Sequence, residues 1–533
     1  MRRDEPSPAE ERVREAYTRG EVADFRDGAD DSADGTSWGP ERTVRAGFLR
    51  RLLLTGETDD GVIPALRMSG ARISGALDLA GADVPCPVRF HACHFDQVLV
   101  VEAARTRQLD LTASVLPGLR GARVRMAGAL HLTASRFSGP VRLAGARVAG
   151  PVLAEEAHLE AAEGPALRLD TAHIENDLWA PGLRATGLVT MEGARVDGTL
   201  NLRDAALARP GETCLSGTGL TVGSGVVAPR LVTDGEIRLS GARVTGSLDL
   251  TGARLVRRGG KAVRADNLTV GADLRATRAR AEGCVDLRGA TITGQLDLAH
   301  AELSNDKGVL ALRLSSCTAA ELSLREAEPI RGLVSLQNAR FDLLVATPGV
   351  WPEVVKLDGL RYAALAPHLP ARERLPLLKR AEDGFVPESY TQLAAAYSGV
   401  GDDVAAREVG LARQRHHRST QPRYARAWGY LQDAAVGYGY RPLRAAAWLA
   451  LLLAVGTLVF GLHHPPALDA GKAPVFNPFV YTLDLLLPIV DFGQAKAVNP
   501  HGGYQWLSYG LIAAGWLLAT TVVAGITRTI NRR

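Results

Sequence analysis

From about residue 68 to 345 one hydrophobic–polar phrase recurs, and it alternates with the period of a β-strand. It reads GALDLAGADV at 75–84, GPVRLAGARV at 139–148, GEIRLSGARV at 235–244, GSLDLTGARL at 246–255 and GCVDLRGATI at 283–292, with the shared template G-x-L-x-L-x-x-A-x-V. In L-x-L both apolar side chains fall on one face, because neighbouring residues of a strand point to opposite sides. Two residues then turn a corner, and A-x-V restarts the alternation. Paired copies begin 11 residues apart (Gly187 and Gly198, Gly235 and Gly246, Gly283 and Gly294). The pairs themselves recur every 48 residues through Gly139, Gly187, Gly235 and Gly283, with Gly332 at 49. Such a register predicts a β-solenoid over 68–345. Two coils per 48 residues is ~24 residues each, about 11 coils, and a rod on the order of 50–55 Å. Leu248 and Leu250 are expected inside and Asp249 outside.

The pattern changes on either side. Residues 1–40 are acidic and bear Gly and Ser, and read as a loose segment. The stretch 41–67 reads as a helical cap, with ERTVRAGFLRRLLLT at 41–55 forming an amphipathic helix that covers the first coil. Over 351–442 the pattern is helical, including RYAALAPHLPARERLPLLKRAEDGF. There Tyr390, Leu393, Ala394 and Tyr397 share one face, and Ala405, Ala406 and Val409 answer from a second helix. This hairpin is expected to cap the far end of the solenoid.

The region 443–533 reads as membrane-embedded. Residues 443–462 carry only Arg444, at their edge, and residues 507–526 carry no charge, each long enough for ~30 Å of hydrocarbon. Between them 476–494 is too short to span and contains Asp484 and Pro488. It is expected to re-enter the bilayer or lie on its surface. Trp448, Trp506, Tyr438 and Tyr440 are the expected interfacial aromatics. Arg413, Arg415, Arg418, Arg423, Arg426 and Arg441 precede the first span, and Arg528, Arg532 and Arg533 follow the second, whereas the loop holds Lys472 and Lys496. The positive-inside rule then puts both termini and the solenoid in the cytoplasm of a multi-pass inner-membrane protein. Charged residues throughout 1–30 leave no apolar run for a signal peptide.

Composition narrows the chemistry. Of 533 residues only 5% are aromatic while 56 are Gly, which suits a thin repeated core. Net charge is +4 from 62 basic and 58 acidic residues, so nothing global points to nucleic acid. Five scattered cysteines (Cys86, Cys93, Cys214, Cys284 and Cys317) form no disulfide framework and fit a reducing compartment. CPVRFHACHF at 86–95 places two Cys and two His close together. In the repeat register, however, Cys93 takes the inward Ala position and His94 the outward Arg position, so no metal site is expected. RQRHHR at 413–418 reads as a solvated basic face meeting anionic lipid. LSGTGLTVGSG at 215–225 misses the dinucleotide-loop spacing and reads as a repeat corner. No cofactor site is evident, and no catalytic residue is identified.

Three resemblances follow from these residues. The phrase, with Ala82-Asp83-Val84 and Ala146-Arg147-Val148, resembles the pentapeptide repeat, which implies a right-handed, roughly four-sided β-helix. The 387–418 hairpin looks like one tetratricopeptide-type unit. The combination of GARVxGxLDL, DDVAAREV, VGYGYRP, YTLDLLLPIVDFGQ and GWLLATTVVAGITR resembles an actinobacterial family of membrane-anchored repeat proteins labelled "membrane-associated oxidoreductase". The leading expectation is a membrane-tethered scaffold whose solenoid meets a protein partner. An oxidoreductase is the reading the family label implies. A third is an oligomeric pore, laid out as span, short re-entrant segment, span, with Asp484 and Asp491 as a cation-attracting ring in a homo-oligomer.

Overall fold

The computed structural model describes residues 5–28, 31–55, 62–306, 309–382, 384–422, 442–468, 475–487 and 490–530, with side chains omitted at 162–163, 442–445 and 519–530. The chain divides into two compact units, residues 1–369 with 380–384, and 370–379 with 385–533.

The first unit is a parallel β-solenoid of about 14 turns. Its short strands stack into two sheets, of 23 and 18 strands. Every ladder between their named strands is parallel, with register shifts where a long coil bulges against a short one. Val196, Val222, Val244, Val270 and Ile292 form one interior column, and Leu200, Val226, Leu248, Leu274 and Leu296 form another. All ten are buried, each contributing about 1.5–3 kcal/mol of hydrophobic stabilisation.

Corner chemistry explains both the template and its period. At the second corner residue the backbone turns left-handed, at Gly182, Gly193, Asp204, Gly219, Arg230, Gly241, Gly252 and Asn267 among others. The Asp or Asn of L-D-L accepts the N–H two residues on. Asp110 takes that of Thr112 at 2.9 Å, Asn201 that of Arg203 at 3.0 Å and Asp249 that of Thr251 at 2.9 Å. This local bond holds each turn shut.

Left-handed corners follow one another by 11 residues, then by 15 where four extra residues protrude, as between Asp204 and Gly219. Coils therefore alternate between two lengths. Arg195 pairs with Thr221, 26 residues on, and Thr221 with Arg243, 22 on, which together make the period of 48. The short coils carry Gly187, Gly235, Gly283 and Gly332 where the long ones bulge, with φ of +124°, +140°, +136° and +119°. No L side chain adopts such values readily. A Cβ on Gly283 would also meet the Arg257 carbonyl oxygen at 2.4 Å.

The solenoid is longer than the repeat alone predicts. Its ladders begin with Ala23–Asp24, paired with Met68–Ser69, and Thr43–Arg45, paired with Arg72–Ser74, and run to Arg361–Ala366, paired with Arg340–Val345. RYAALA is thus a strand and not a helix, because Tyr362 and Leu365 continue columns begun by Phe341 and Leu344. Extra coils at both ends bring the count from the expected 11 to about 14.

The N-terminal segment is not loose. Helix α1 (Pro8–Arg19) starts with a reciprocal Ser7–Glu10 capping box and buries Val13, Ala16 and Tyr17. Glu10, fully buried, also takes Nε of Arg45 at 2.7 Å and Nη2 at 2.6 Å. Helix α2 (Ala46–Thr55) buries Leu49, Leu52 and Leu53, as the amphipathic pattern of 41–55 anticipates, though the strand takes its first residues.

In the second unit, α3 (Ala371–Leu378) precedes the helical hairpin of α4 (Pro387–Gly399) and α5 (Asp403–Ser419). Tyr390, Leu393 and Tyr397 are buried there, with Ala396 rather than Ala394, opposite Ala405, Ala406 and Val409. Three more helices follow, α6 (Pro442–Leu462), α7 (Pro478–Leu486) and α8 (Gly503–Ile530). Among the described residues no helix is long and apolar enough to cross a membrane. The expected spans 443–462 and 507–526 run past the described side chains, which begin at 446 in α6 and end at 518 in α8.

Candidate functional site

Helices α6, α7 and α8 bury a few polar groups within an apolar core and expose much apolar surface, in part the reverse of a water-soluble bundle. Inside lie Tyr481, Thr482, Asp484, Gln494 and Ser508 together with Phe460, Leu485, Leu486 and Leu511. Outside, Trp448, Leu451, Val455, Leu458 and Leu462 line one face of α6, with Leu458 64% exposed, and α8 exposes Trp506 (76%), Tyr509 and Trp516. Small residues let the helices approach closely. A Cβ on Gly456 would strike Thr482 Cγ2 at 2.3 Å, and one on Gly515 the Leu486 carbonyl oxygen at 2.3 Å. Phe460 and Tyr481 meet edge to face at 4.9 Å, and the Tyr481 hydroxyl reaches Ser508 at 3.4 Å.

Asp484 is buried beside the loop that follows α7. Only 9% exposed, its carboxylate accepts the Phe492 N–H at 2.9 Å and the Ala495 N–H at 2.7 Å. It closes the loop after α7, a structural task that the sequence pattern does not signal. Gln494 does the same nearby, donating to the Val475 carbonyl at 2.9 Å and accepting from Asn477 N–H at 3.2 Å. Asp491 is exposed and paired with Lys496, which holds its carboxyl below the ordinary range. Asp484 is thus buried while Asp491 is exposed. Trp448 and Trp506 are both exposed. Tyr438, Tyr440, Arg423, Arg426, Arg441, Lys472, Pro488, Arg532 and Arg533 lie outside the described residues, as do the side chains of Arg444 and Arg528.

In the hairpin, His416 Nδ1 lies 2.8 Å from the Tyr390 hydroxyl, and Phe385 stacks against both His416 and His417 at 5.2 Å. Burial lowers the His416 pKa, with Lys379 adding to the effect. His416 thus belongs to the hairpin's packing, and only part of RQRHHR is a solvated face.

Within the solenoid, Cys93 is buried in the core and His94 points outward, as the register requires. His94 is nevertheless covered, because the turn 32–37 of the N-terminal segment folds over it and the Ser32 carbonyl lies 3.0 Å from Nδ1. All five cysteines are free and buried. Burial pushes the Cys93, Cys214 and Cys317 thiols up to about 12 and Cys284 to about 11. The 215–225 glycines sit in a repeat corner before the strand Thr221–Val222.

The long coils carry a feature that the repeat pattern hides. Their excursions lie near two buried carboxylates. Glu236, 2% exposed, is ringed by Arg238, Arg257 and Arg264. Asp286, fully buried, takes Nζ of Lys261 at 2.6 Å. Each carboxylate is ion-paired within its cluster, which ties one coil to the next. Among the described residues no group of three or more His, Cys, Asp or Glu is placed to hold a metal ion. Comparison with protein-family models, with curated proteins and with solved structures returns no match.

Proposed function

We propose that this chain is a membrane-tethered scaffold, in which a right-handed, pentapeptide-like β-solenoid on the cytoplasmic side offers its flank to a protein partner. The observation that carries the tether is the partly reversed polarity of α6–α8, where aromatic and aliphatic side chains face outward while Asp484, Gln494 and Thr482 face inward. Exposing that stripe to water is unfavourable, whereas hydrocarbon accepts it. The arginine-rich flanks give the orientation. The solenoid supports the scaffold half of the reading, since its carboxylates and thiols are buried, paired or protonated while its outward columns form long regular surfaces.

The redox reading that the family label implies finds no support in the thiols. Burial keeps them protonated, and the thiolate is the reactive form. The pore reading loses its inner acid, because Asp484 is committed to two backbone N–H groups.

The test is affinity capture from native membranes with the full chain and with a chain lacking 62–366. A stoichiometric partner recovered with the full chain alone is expected. Equal recovery with both, or none with either, overturns the scaffold reading.

A further inference from the structure

Three outward arginines stand in register on one flank of the solenoid. Arg125 pairs with Arg105 on the coil before it and with Arg147 on the coil after it. Three guanidinium-bearing residues thus follow one another at the ~4.8 Å spacing of a parallel ladder, spanning ~10 Å. Arg107 lies beside them. All four are exposed, and none makes an ion pair or side-chain hydrogen bond among the described residues.

At the next two positions of the column the fold neutralises such residues, whereas Arg243 stands singly between Thr221 and Thr269. In the same column Arg195 is held at 2.6 Å by Asp197, two residues on, and His173 by the same acid at 2.9 Å. At the equivalent positions the three ladder arginines have Arg107, Ala127 and Ala149. Adjacent unneutralised cations repel one another, so folding alone does not favour this arrangement. The four line a shallow groove of about 420 Å³, closed at one end by Asp83 and at the other by Glu175. The remaining lining holds no aromatic ring and no further acid.

We propose that this groove binds a short phosphate chain, a di- or triphosphate, free or as part of a nucleotide. The guanidinium fork matches phosphate oxygens in geometry and charge. The volume lies in the range of small-ligand sites. The acids at both ends repel an anionic polymer running further along the column, and the missing aromatic platform disfavours a single nucleic-acid strand, whose bases need stacking partners. The site stands independently of the tether and of the protein partner.

The experiment is isothermal titration calorimetry on the full chain in uncharged detergent, without divalent cations. The titrants are tripolyphosphate, a nucleoside triphosphate, orthophosphate and a 20-nucleotide single strand. One saturable site for tripolyphosphate is expected, at least ~10-fold tighter than for orthophosphate. A nucleoside triphosphate that binds more tightly identifies a nucleotide ligand, and equal affinity identifies the phosphate chain alone. Either outcome supports the site. Arg125→Gln should weaken binding by about 10- to 100-fold. Arg243→Gln, in the same column but between Thr221 and Thr269, should leave it within about twofold. Arg147→Gln serves as the second groove variant should Arg125→Gln alter the thermal melt. Absence of saturable binding, equal loss in Arg125→Gln and Arg243→Gln, or tighter binding of the oligonucleotide than of tripolyphosphate would overturn the proposal.

Discussion

At the scale of single residues, the solenoid depends on a few backbone positions and on the inward columns. Gly283 is the clearest, since its φ of +136° and the nearby Arg257 carbonyl both exclude a side chain. Gly283→Ala is expected to cost about 2–4 kcal/mol, read as a lowered urea midpoint. Leu248 is buried in a column, and Asp249 beside it points out and bonds only locally. Leu248→Asp should therefore cost on the order of 4 kcal/mol or more by burying an unpaired carboxyl. Asp249→Leu should cost ~1 kcal/mol or less by removing one turn bond. Equal shifts in the two melts would contradict the assigned faces. Asp484→Ala leaves the Phe492 and Ala495 N–H groups without their acceptor and should lower the detergent-solubilised unit's stability by roughly 1–3 kcal/mol. Asp484→Asn keeps one good acceptor and should cost about half as much.

At the scale of elements, the alternation of coil lengths makes a design prediction. Replacing RPGET (209–213) by one glycine converts a long coil into the D-G-E-I form of its neighbour at 234–237. The solenoid is expected to survive with a loss of under ~2 kcal/mol, because the removed Arg209 and Glu212 pair with each other. Removing one whole 11-residue side instead breaks the register of every later column and should prevent cooperative unfolding.

The N-terminal cap predicts a pH dependence. Burial alone would raise the Glu10 pKa, but hydrogen bonds from the Arg45 side chain and from the Ser7 and Arg45 backbone outweigh it, leaving it below its ordinary value of 4.5. A depressed carboxyl stabilises the fold above the unfolded value, and that stabilisation is lost as pH falls through the folded one. Amide exchange in α1 should therefore quicken as pH drops below about 4.5, and Glu10→Gln should flatten that response.

At the scale of the whole molecule, the proposed tether makes the two units differ in what surrounds them. Residues 1–369 and 380–384 bury their apolar columns against one another, while α6–α8 bury a small apolar core and expose further apolar side chains such as Leu458 and Trp506. The full chain is expected to stay with membranes through an alkaline carbonate wash and to leave only with detergent. A chain ending at 384 should be recovered in the aqueous fraction with an intact β-sheet circular dichroism spectrum. Retention of both, or loss of both, would contradict the assignment of the tether to the second unit.

Periodicity carries far in a solenoid because each coil contacts only its neighbours, so local alternation and global stacking are the same constraint. The inward faces of Leu248 and Val244, the outward place of His94 and the glycines at 48-residue intervals all follow from the sequence by itself. Three matters needed the folded chain. The split of 48 into 22 and 26 depends on which coil lets four residues protrude, and hydrophobicity is silent about residues that leave the core. The end coils at 43–45 and 361–366 lack the glycine template, and only their backbone partners make them strands. Asp484 is chemically suited to a headgroup, a lumen or a loop, and only the folded chain shows its carboxylate accepting the N–H groups of Phe492 and Ala495. The arginine ladder shows the two levels meeting. The sequence places Arg105 before Thr106, Arg125 before Met126 and Arg147 before Val148, but only the parallel register brings the three arginines side by side, because residues about 20 apart in the chain become neighbours through the length of the coil between them.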